Sequence, residues 1–267
     1  MASEAPAATF ARREGAKLRE RVAIVTGGGR GIGRAIALGL AAEGATVAVI
    51  SRSEDELDAV VTDARELGGD GLALVVDCMD GQALKRAVEE VHTRFGRLDV
   101  LVNNVGGLLG EVEKLDALDH DDELFEQNLF LNLTTAYYAS RAALPHMVEG
   151  GYGRVVNIGS GYGTHGGGTI AYSAAKHGLV GLTRALAYQL PAEITVNCLC
   201  PGWTDTAMLN WAGSDAAAAA RVKAETQTVQ GRILKSQELV PMAVLLAGPD
   251  AAGITGQVIS VDGGYKV

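Results

Sequence analysis

Tyr172 and Lys176 stand four residues apart in the run YSAAK. On a helix that spacing is one turn, so phenol and amine share a face. Reducing a ketone needs a proton donor at the carbonyl oxygen, and the reverse reaction needs a base there. A free phenol, pKa about 10, is a poor base at neutral pH. A nearby ammonium stabilises the phenolate and lowers that value. Tyr and Lys also meet at this spacing by chance on many helices, so the pair alone assigns nothing. Ser160 precedes Tyr172 by twelve residues and follows a short apolar run. Its hydroxyl can donate to the same carbonyl oxygen. Asn132 is a poor helix former inside a long helical stretch, which asks for a reason. The four together are far more specific than any two.

A second constellation is the run TGGGRGIG at residues 26–33. Its glycines are spaced G-x-x-x-G-x-G, between a β-branched apolar run and a helical one. Such glycines let the backbone turn tightly and approach a pyrophosphate, which sits on N–H groups at the helix N-terminus. Alone, the run is only a tight strand–helix connection; its place after the first strand of an alternating chain favours a nucleotide. About 20 residues on, an acid would bond the adenosine ribose 2′-hydroxyl. Here residues 50–53 read ISRS, and no acid stands at the tip. Arg52 and Arg30 can instead converge on a 2′-phosphate, with Ser51 and Ser53 as hydroxyl donors. The planar guanidinium fork suits phosphate. Without the glycine loop, both arginines would read as solvated charges.

Apolar, β-branched runs predict strands at 21–26, 46–50, 71–77, 98–103, 154–158, 194–200 and 257–261. Helical patterns fall between them at 32–43, 54–67, 82–95, 171–189 and 236–247. A polar, acidic stretch at 114–122 leads into one long helix ending at Met147, and the alanine-rich residues 206–228 read as a helical lid. Strands alternating with helical crossovers imply a parallel sheet covered on both faces.

The 267 residues include 32 acidic and 23 basic side chains, a formal charge of −9, and are 48 % hydrophobic. That hydrophobicity excludes disorder and builds a large core. The acidic balance argues against nucleic acid or an anionic membrane as partner. No apolar run approaches the ~18 residues of a spanning helix. Open α/β sheets run to about 250 residues as one unit, so residues 21–267 are read as a single domain. Residues 1–20 mix Arg12, Arg13, Lys17 and Arg19 with Glu4, Glu14 and Glu20 and lack an apolar signal core. They read as a mobile leader on a cytoplasmic protein. Cys78, Cys198 and Cys200 form no C-x-x-C pair and read as small buried hydrophobes. The five histidines show no metal-ligand spacing, although His165 falls in the glycine-rich loop between Ser160 and Tyr172.

Over about residues 20–264 the sequence resembles the short-chain dehydrogenase/reductase family, as a ketoreductase-like member. Residues 26–33 match its T-G-x-x-x-G-x-G motif, and Asp77 its acid after strand three. Asn103-Asn104-Val105-Gly106 matches N-N-A-G, with Val105 in place of alanine. Asn132, Ser160, Tyr172 and Lys176 match the catalytic tetrad. Residues 201–206 (PGWTDT) match the P-G motif, and Asp262-Gly263-Gly264 the C-terminal signature.

The resemblance implies a Rossmann-like, doubly wound α/β fold with seven parallel strands in the order 3-2-1-4-5-6-7. It implies that Tyr172 exchanges the proton with the substrate oxygen and that Ser160 orients the carbonyl. Lys176 lowers the phenol pKa and bonds the nicotinamide ribose, while Asn132 supports a water-linked proton path. The implied cofactor contacts are Gly27, Gly29, Arg30, Gly31, Ile32 and Gly33 in the loop, then Ser51, Arg52 and Ser53. They continue through Asp77, Cys78, Asn104, Val105, Gly106, Tyr172 and Lys176 to Pro201, Gly202, Thr204 and Thr206. Basic residues at positions 30 and 52 go, in this family, with NADP(H); NAD(H) is the alternative. No metal is needed. A homotetramer or homodimer is implied, packed through the long helix ending at Met147 and the helix at 171–189. The substrate is expected to be a free, largely apolar ketone or secondary alcohol. Two departures are Val105, which adds bulk beside the cofactor, and residues 189–193, about two shorter than usual. A second reading is a catalytically idle dinucleotide sensor, which usually lacks the tyrosine or the lysine.

Overall fold

The computed structural model describes residues 15–110, 118, 120–210 and 214–266. The apolar runs form strands β1 (Val22–Thr26), β2 (Thr46–Ser51), β3 (Asp70–Val75) and β4 (Val100–Asn103), followed by β5 (Gly153–Ile158), β6 (Ile194–Pro201) and β7 (Val258–Val261). They make one seven-stranded sheet in the order β3-β2-β1-β4-β5-β6-β7. Every pairing is parallel. Strands β1, β4, β5 and β6 are buried along their whole length, as strands covered on both faces must be.

The period-two alternation of β1 divides the core. Ala23 and Val25 face a layer built by helices α1 (Gly31–Ala42), α2 (Glu54–Glu66) and α8 (Val240–Ala247). Val22 and Ile24 face the opposite layer, where α3 (Gly81–Phe95) and α5 (Thr135–Glu149) pack. The remaining helices are α4 (Asp122–Leu129), α6 (Ile170–Gln189) and α7 (Ser214–Gln227). Among the described residues, no helix is long and apolar enough to cross a membrane.

Four expectations change. The long helix ending near residue 147 is two helices, α4 and α5, joined by a wider π-type turn at Phe130–Thr134. Its cause is local. The side-chain amides of Asn128 and Asn132 donate to the carbonyls of Leu124 (2.8 Å) and Asn128 (3.0 Å), the acceptors four residues back. They compete with the backbone for those carbonyls. Strand β3 ends at Val75, so Asp77 lies beyond it in a turn, where its carboxylate accepts from the Met79 N–H at 2.9 Å. Residues 1–14 of the expected leader lie outside the described residues; within the rest, Leu18 is fully buried and its N–H donates to the Glu43 carbonyl at 3.0 Å. Lys17 pairs with Asp250. The segment at 206–228 is a short 3₁₀ turn, Ala207–Asn210, and then α7; Trp211 lies outside the described residues.

Candidate active site

Strand β1 pairs with β2 on one side and β4 on the other, so the strand order reverses there and a crevice opens at the C-terminal edge of the sheet. The glycine run lies on this crevice. Gly27 and Gly31 hold φ of +62° and +55°, a region that side chains disfavour. A Cβ on Gly33 would lie 2.2 Å from the Gly27 carbonyl oxygen. The Asn104 amide braces the loop by donating to the carbonyls of Thr26 (3.2 Å) and Gly27 (3.0 Å). Thr26 Oγ1 accepts in return from the N–H groups of Asn104 and Val105. The extra bulk of Val105 is thus held in place, packed beside Gly27 and the core. Arg30 caps α1 without a side-chain hydrogen bond, and the first turn of the helix holds no acid. The positive end of the helix dipole faces the crevice, as a pyrophosphate requires.

The far wall is set by the end of β6. Thr204 is buried and its hydroxyl donates to the Gly202 carbonyl at 3.0 Å. Gly202 lies against Asp262, whose Cα a Cβ there would approach to 2.6 Å. Thr206 reaches back across the crevice: a Cβ on Gly31 would meet its Cγ2 at 3.4 Å. Backbone that only glycine allows, facing a threonine across the opening, is a cradle of the kind a dinucleotide fits.

At the adenosine end the two arginines have different neighbours. Arg30 Nη1 lies 3.7 Å from Glu56 Oε1 of α2. Arg52 is exposed beside the end of β3, where its charge acts on Cys78. Burial pushes the Cys78 thiol up to about 12; the Asp77 charge adds to this and Arg52 opposes it. The Ser51 hydroxyl oxygen is buried without a hydrogen-bond partner. A missing partner at that point is what a ribose hydroxyl or its phosphate would supply.

The four chemically suggestive residues do converge. Tyr172 and Lys176, both buried on α6, lie one turn apart, with Nζ 5.6 Å from the phenol ring centroid. Lys176 Nζ donates to the Ile158 carbonyl at 2.9 Å, where β5 ends. The Tyr162 N–H donates to Ser160 Oγ at 3.2 Å, which leaves the serine hydrogen to donate to the phenol oxygen. Asn132 clamps Gly107 from both sides, accepting from its N–H at 3.0 Å and donating to its carbonyl at 2.9 Å. Gly106 completes the group: a Cβ there would lie 2.9 Å from Asn132 Oδ1 and 3.2 Å from Lys176 Nζ.

The electrostatics depart from the simple expectation. Burial pushes the Tyr172 phenol up to about 12; the Ser160 hydrogen bond opposes this, while Tyr162 and Cys200 push it further. Burial brings Lys176 down to about 8, with Cys198 and Cys200 acting the other way. The ammonium is anchored on a backbone carbonyl, and burial dominates the phenol. This pair therefore suits proton donation near neutral pH better than proton removal.

Several supporting residues carry no motif. Asn128 is fully buried and accepts from the Leu109 N–H at 3.0 Å, tying the loop after β4 to α4. Its spacing of four from Asn132 is the available signal. Tyr162 sits at the centre of an aromatic cluster with Tyr172, Trp203 and Tyr265, with centroids 6.0–6.5 Å apart. Gly167 and Gly168 lie against its ring. His165 packs edge-on against Tyr265, and its Nδ1 meets Thr164 Oγ1 at 2.9 Å. Among the described residues, no group of three or more His, Cys, Asp or Glu side chains is placed to hold a metal ion.

A crevice at the reversal of strand order, a braced glycine loop and a Ser/Tyr/Lys group define a class of oxidoreductase. The profile of the short chain dehydrogenase family matches residues 21–217, and the chain belongs to the short-chain dehydrogenase/reductase family. Among its relatives, an uncharacterised oxidoreductase of Bacillus subtilis, YxjF, is 36 % identical over 258 residues, 93 % of this chain and 99 % of that one. The 3-oxoacyl-acyl-carrier-protein reductase FabG of Escherichia coli is 35 % identical over 246 residues, 91 % of this chain and 96 % of its own. Solved structures that resemble it include a point variant of the actinorhodin polyketide ketoreductase with NADPH (TM-score 0.83, 35 % identity, 92 % of this chain and 97 % of that one). An NAD⁺-bound xylitol dehydrogenase is also similar (TM-score 0.82, 29 % identity, 93 % and 100 %).

Proposed function

We propose that this oxidoreductase uses NADP(H) to interconvert a ketone and a secondary alcohol on a free small molecule, chiefly as a reductase. The observation that carries the reading is the meeting of Ser160, Tyr172, Lys176 and Asn132 at the crevice lined by the glycine loop. When bound, the dinucleotide supplies the hydride. Tyr172 Oη gives the proton to the substrate oxygen. Ser160 Oγ–H donates to that oxygen and fixes the carbonyl. Lys176 Nζ turns between the Ile158 carbonyl and the nicotinamide ribose. Asn132 keeps Gly106 and Gly107 in place beside Nζ and supports a water-linked proton path to it. Gly27, Gly29, Gly31, Ile32, Gly33 and Asn104 cradle the pyrophosphate and its ribose. Asp77 and Cys78 take the adenine edge, and Arg30, Arg52, Ser51 and Ser53 the 2′-phosphate. Val105 and Gly106 line the nicotinamide side, with Pro201, Gly202, Thr204 and Thr206 opposite.

The substrate side is apolar and aromatic. Leu108, Leu109, Trp203 and Leu209 are partly buried, and Met208 is exposed. Arg221, a cation that could otherwise meet a carboxylate, is turned to Asp205 at 3.2 Å. Residues 149–152 and 192–193, which precede β5 and β6, carry no basic side chain, and the chain stands at −9. An acidic carrier protein would be repelled, not steered. These features support a moderate-sized apolar ketone. Residues 21–267 would act as one catalytic domain. Helices α5 and α6 leave an apolar groove lined by Tyr137, Leu144, Val148, Leu186 and Leu190, which supports packing into a homotetramer.

Nicotinamide absorbance, followed with NADPH and with NADH against aryl and cyclic ketones, keto acids and an acyl-carrier thioester, tests the reading. Turnover of the apolar ketones with NADPH is expected. Preference for the acid or the thioester would overturn the substrate, and no turnover at all would favour an idle dinucleotide sensor. An NAD-linked reading has one observation in its favour, the Glu56 carboxylate beside Arg30.

A further inference from the structure

The adenosine end holds a carboxylate that no strand-tip position supplies. Glu56 comes from the first turn of α2 and turns back toward the glycine loop. Around the hydrogen of Gly29, where a Cβ would stand, Ser51 Oγ lies at 3.0 Å and Glu56 Oε2 at 3.2 Å. The other carboxylate oxygen, Oε1, is the one 3.7 Å from Arg30 Nη1. Thus a buried hydroxyl without a partner, a carboxylate and a guanidinium border one small space beside the loop. Arg52 is exposed, and its charge acts on Cys78. A dianionic phosphate entering this space gains Arg30 and Ser51 but meets Glu56, which both repels it and holds the guanidinium it needs. A ribose hydroxyl meets no such penalty, because it can donate to a carboxylate.

We infer that Glu56 is a specificity-determining residue that holds Arg30 back from a 2′-phosphate, so the chain's preference for phosphorylated over unphosphorylated dinucleotide is weaker than its two arginines alone would give. The inference rests on the proposed cofactor crevice and adds to it the residue that tunes its choice. It also fits the side chains' exposure: Arg30 is 64 % and Glu56 38 % exposed, so the ion pair is loose enough to open.

Titration calorimetry with 2′,5′-ADP and with 5′-AMP separates the inference from the crevice reading, and needs no turnover. Glu56→Gln keeps the side-chain shape and removes the charge. It is expected to tighten 2′,5′-ADP by roughly fivefold, the order of an exposed charge pair, and to leave 5′-AMP unchanged or slightly weaker. In an Arg30→Ala background the same substitution is expected to gain less, because part of the effect is release of Arg30. Equal tightening of both ligands by Glu56→Gln, or none, would overturn the role of Glu56 while leaving the crevice intact. If wild-type protein bound neither ligand, the cofactor crevice itself would fail, and the inference with it.

Discussion

The two ends of the crevice are built differently. At the nicotinamide end, Lys176 is fixed to the last carbonyl of β5, Asn132 to both backbone groups of Gly107, and Ser160 to the N–H of Tyr162. These side chains are held by main chain. At the adenosine end, Arg30 is held by another exposed side chain, and Arg52 is exposed. The chemical end is held in place because its partners are main-chain groups. The selectivity end is adjustable because its partners are side chains that can be exchanged without moving the backbone. Substitutions should therefore cost much at the first end and little at the second.

The largest expected effect is at Tyr172. Tyr172→Phe removes the proton donor and should lower kcat for ketone reduction by roughly 10²–10⁴-fold, with cofactor affinity unchanged by fluorescence titration. Lys176→Ala should lose activity and weaken cofactor binding together, a combination that separates it from Tyr172→Phe. Asn132→Ala strands the N–H and carbonyl of Gly107, at a cost of about 1–3 kcal/mol. Calorimetry should show a lower Tm, and kcat should fall as the loop loses its clamp. An unchanged Tm would mean that main chain, not Asn132, holds the loop.

Proton linkage provides a middle-sized effect. Burial brings Lys176 to about 8, so its ammonium is present below that pH and is lost as pH rises through it. Cofactor affinity should therefore weaken above pH about 8, and Lys176→Arg should remove that limb of the profile. Tyr172, pushed up to about 12, remains protonated across this range, so reduction should not lose its acid there, whereas alcohol oxidation should speed up with rising pH. The smallest effect is expected at Arg52. Its exposure limits it to roughly fivefold, so Arg52→Ala should raise KM for NADPH by about that factor and leave KM for NADH alone. Equal changes for both would make Arg52 a solvated charge.

The contrast between the two ends also marks what the sequence makes legible. Alternating β-branched runs are enough for the sheet, because a strand buried on both faces admits few other residues. The chemical residues are legible because backbone-held positions require fixed spacings, such as the four residues from Tyr172 to Lys176. Asn132 stands out as a misfit in a helix, and the π-type turn is what its amide produces. Glu56 is illegible, because an acid in a first helical turn is expected on dipole grounds alone and its aim at Gly29 is tertiary. The pKa of Tyr172 is hidden for a related reason. Helical spacing puts Lys176 near, but only packing shows that the Ile158 carbonyl takes its hydrogen bond and that burial dominates the phenol. Leu18 is hidden because one apolar residue in a charged stretch gives no periodicity to read.

The central claim is that buried Tyr172, one turn from the backbone-anchored Lys176, completes hydride transfer by protonating a carbonyl. The most direct measurement follows deuterium from NADPH labelled at nicotinamide C4 into the product, by NMR, for wild-type protein and Tyr172→Phe with a cyclic or aryl ketone. Wild-type protein should place the label on the carbinol carbon, and Tyr172→Phe should bind the coenzyme yet form almost no labelled alcohol. Labelled alcohol formed by Tyr172→Phe at the wild-type rate, or a wild-type product carrying no label, would contradict it.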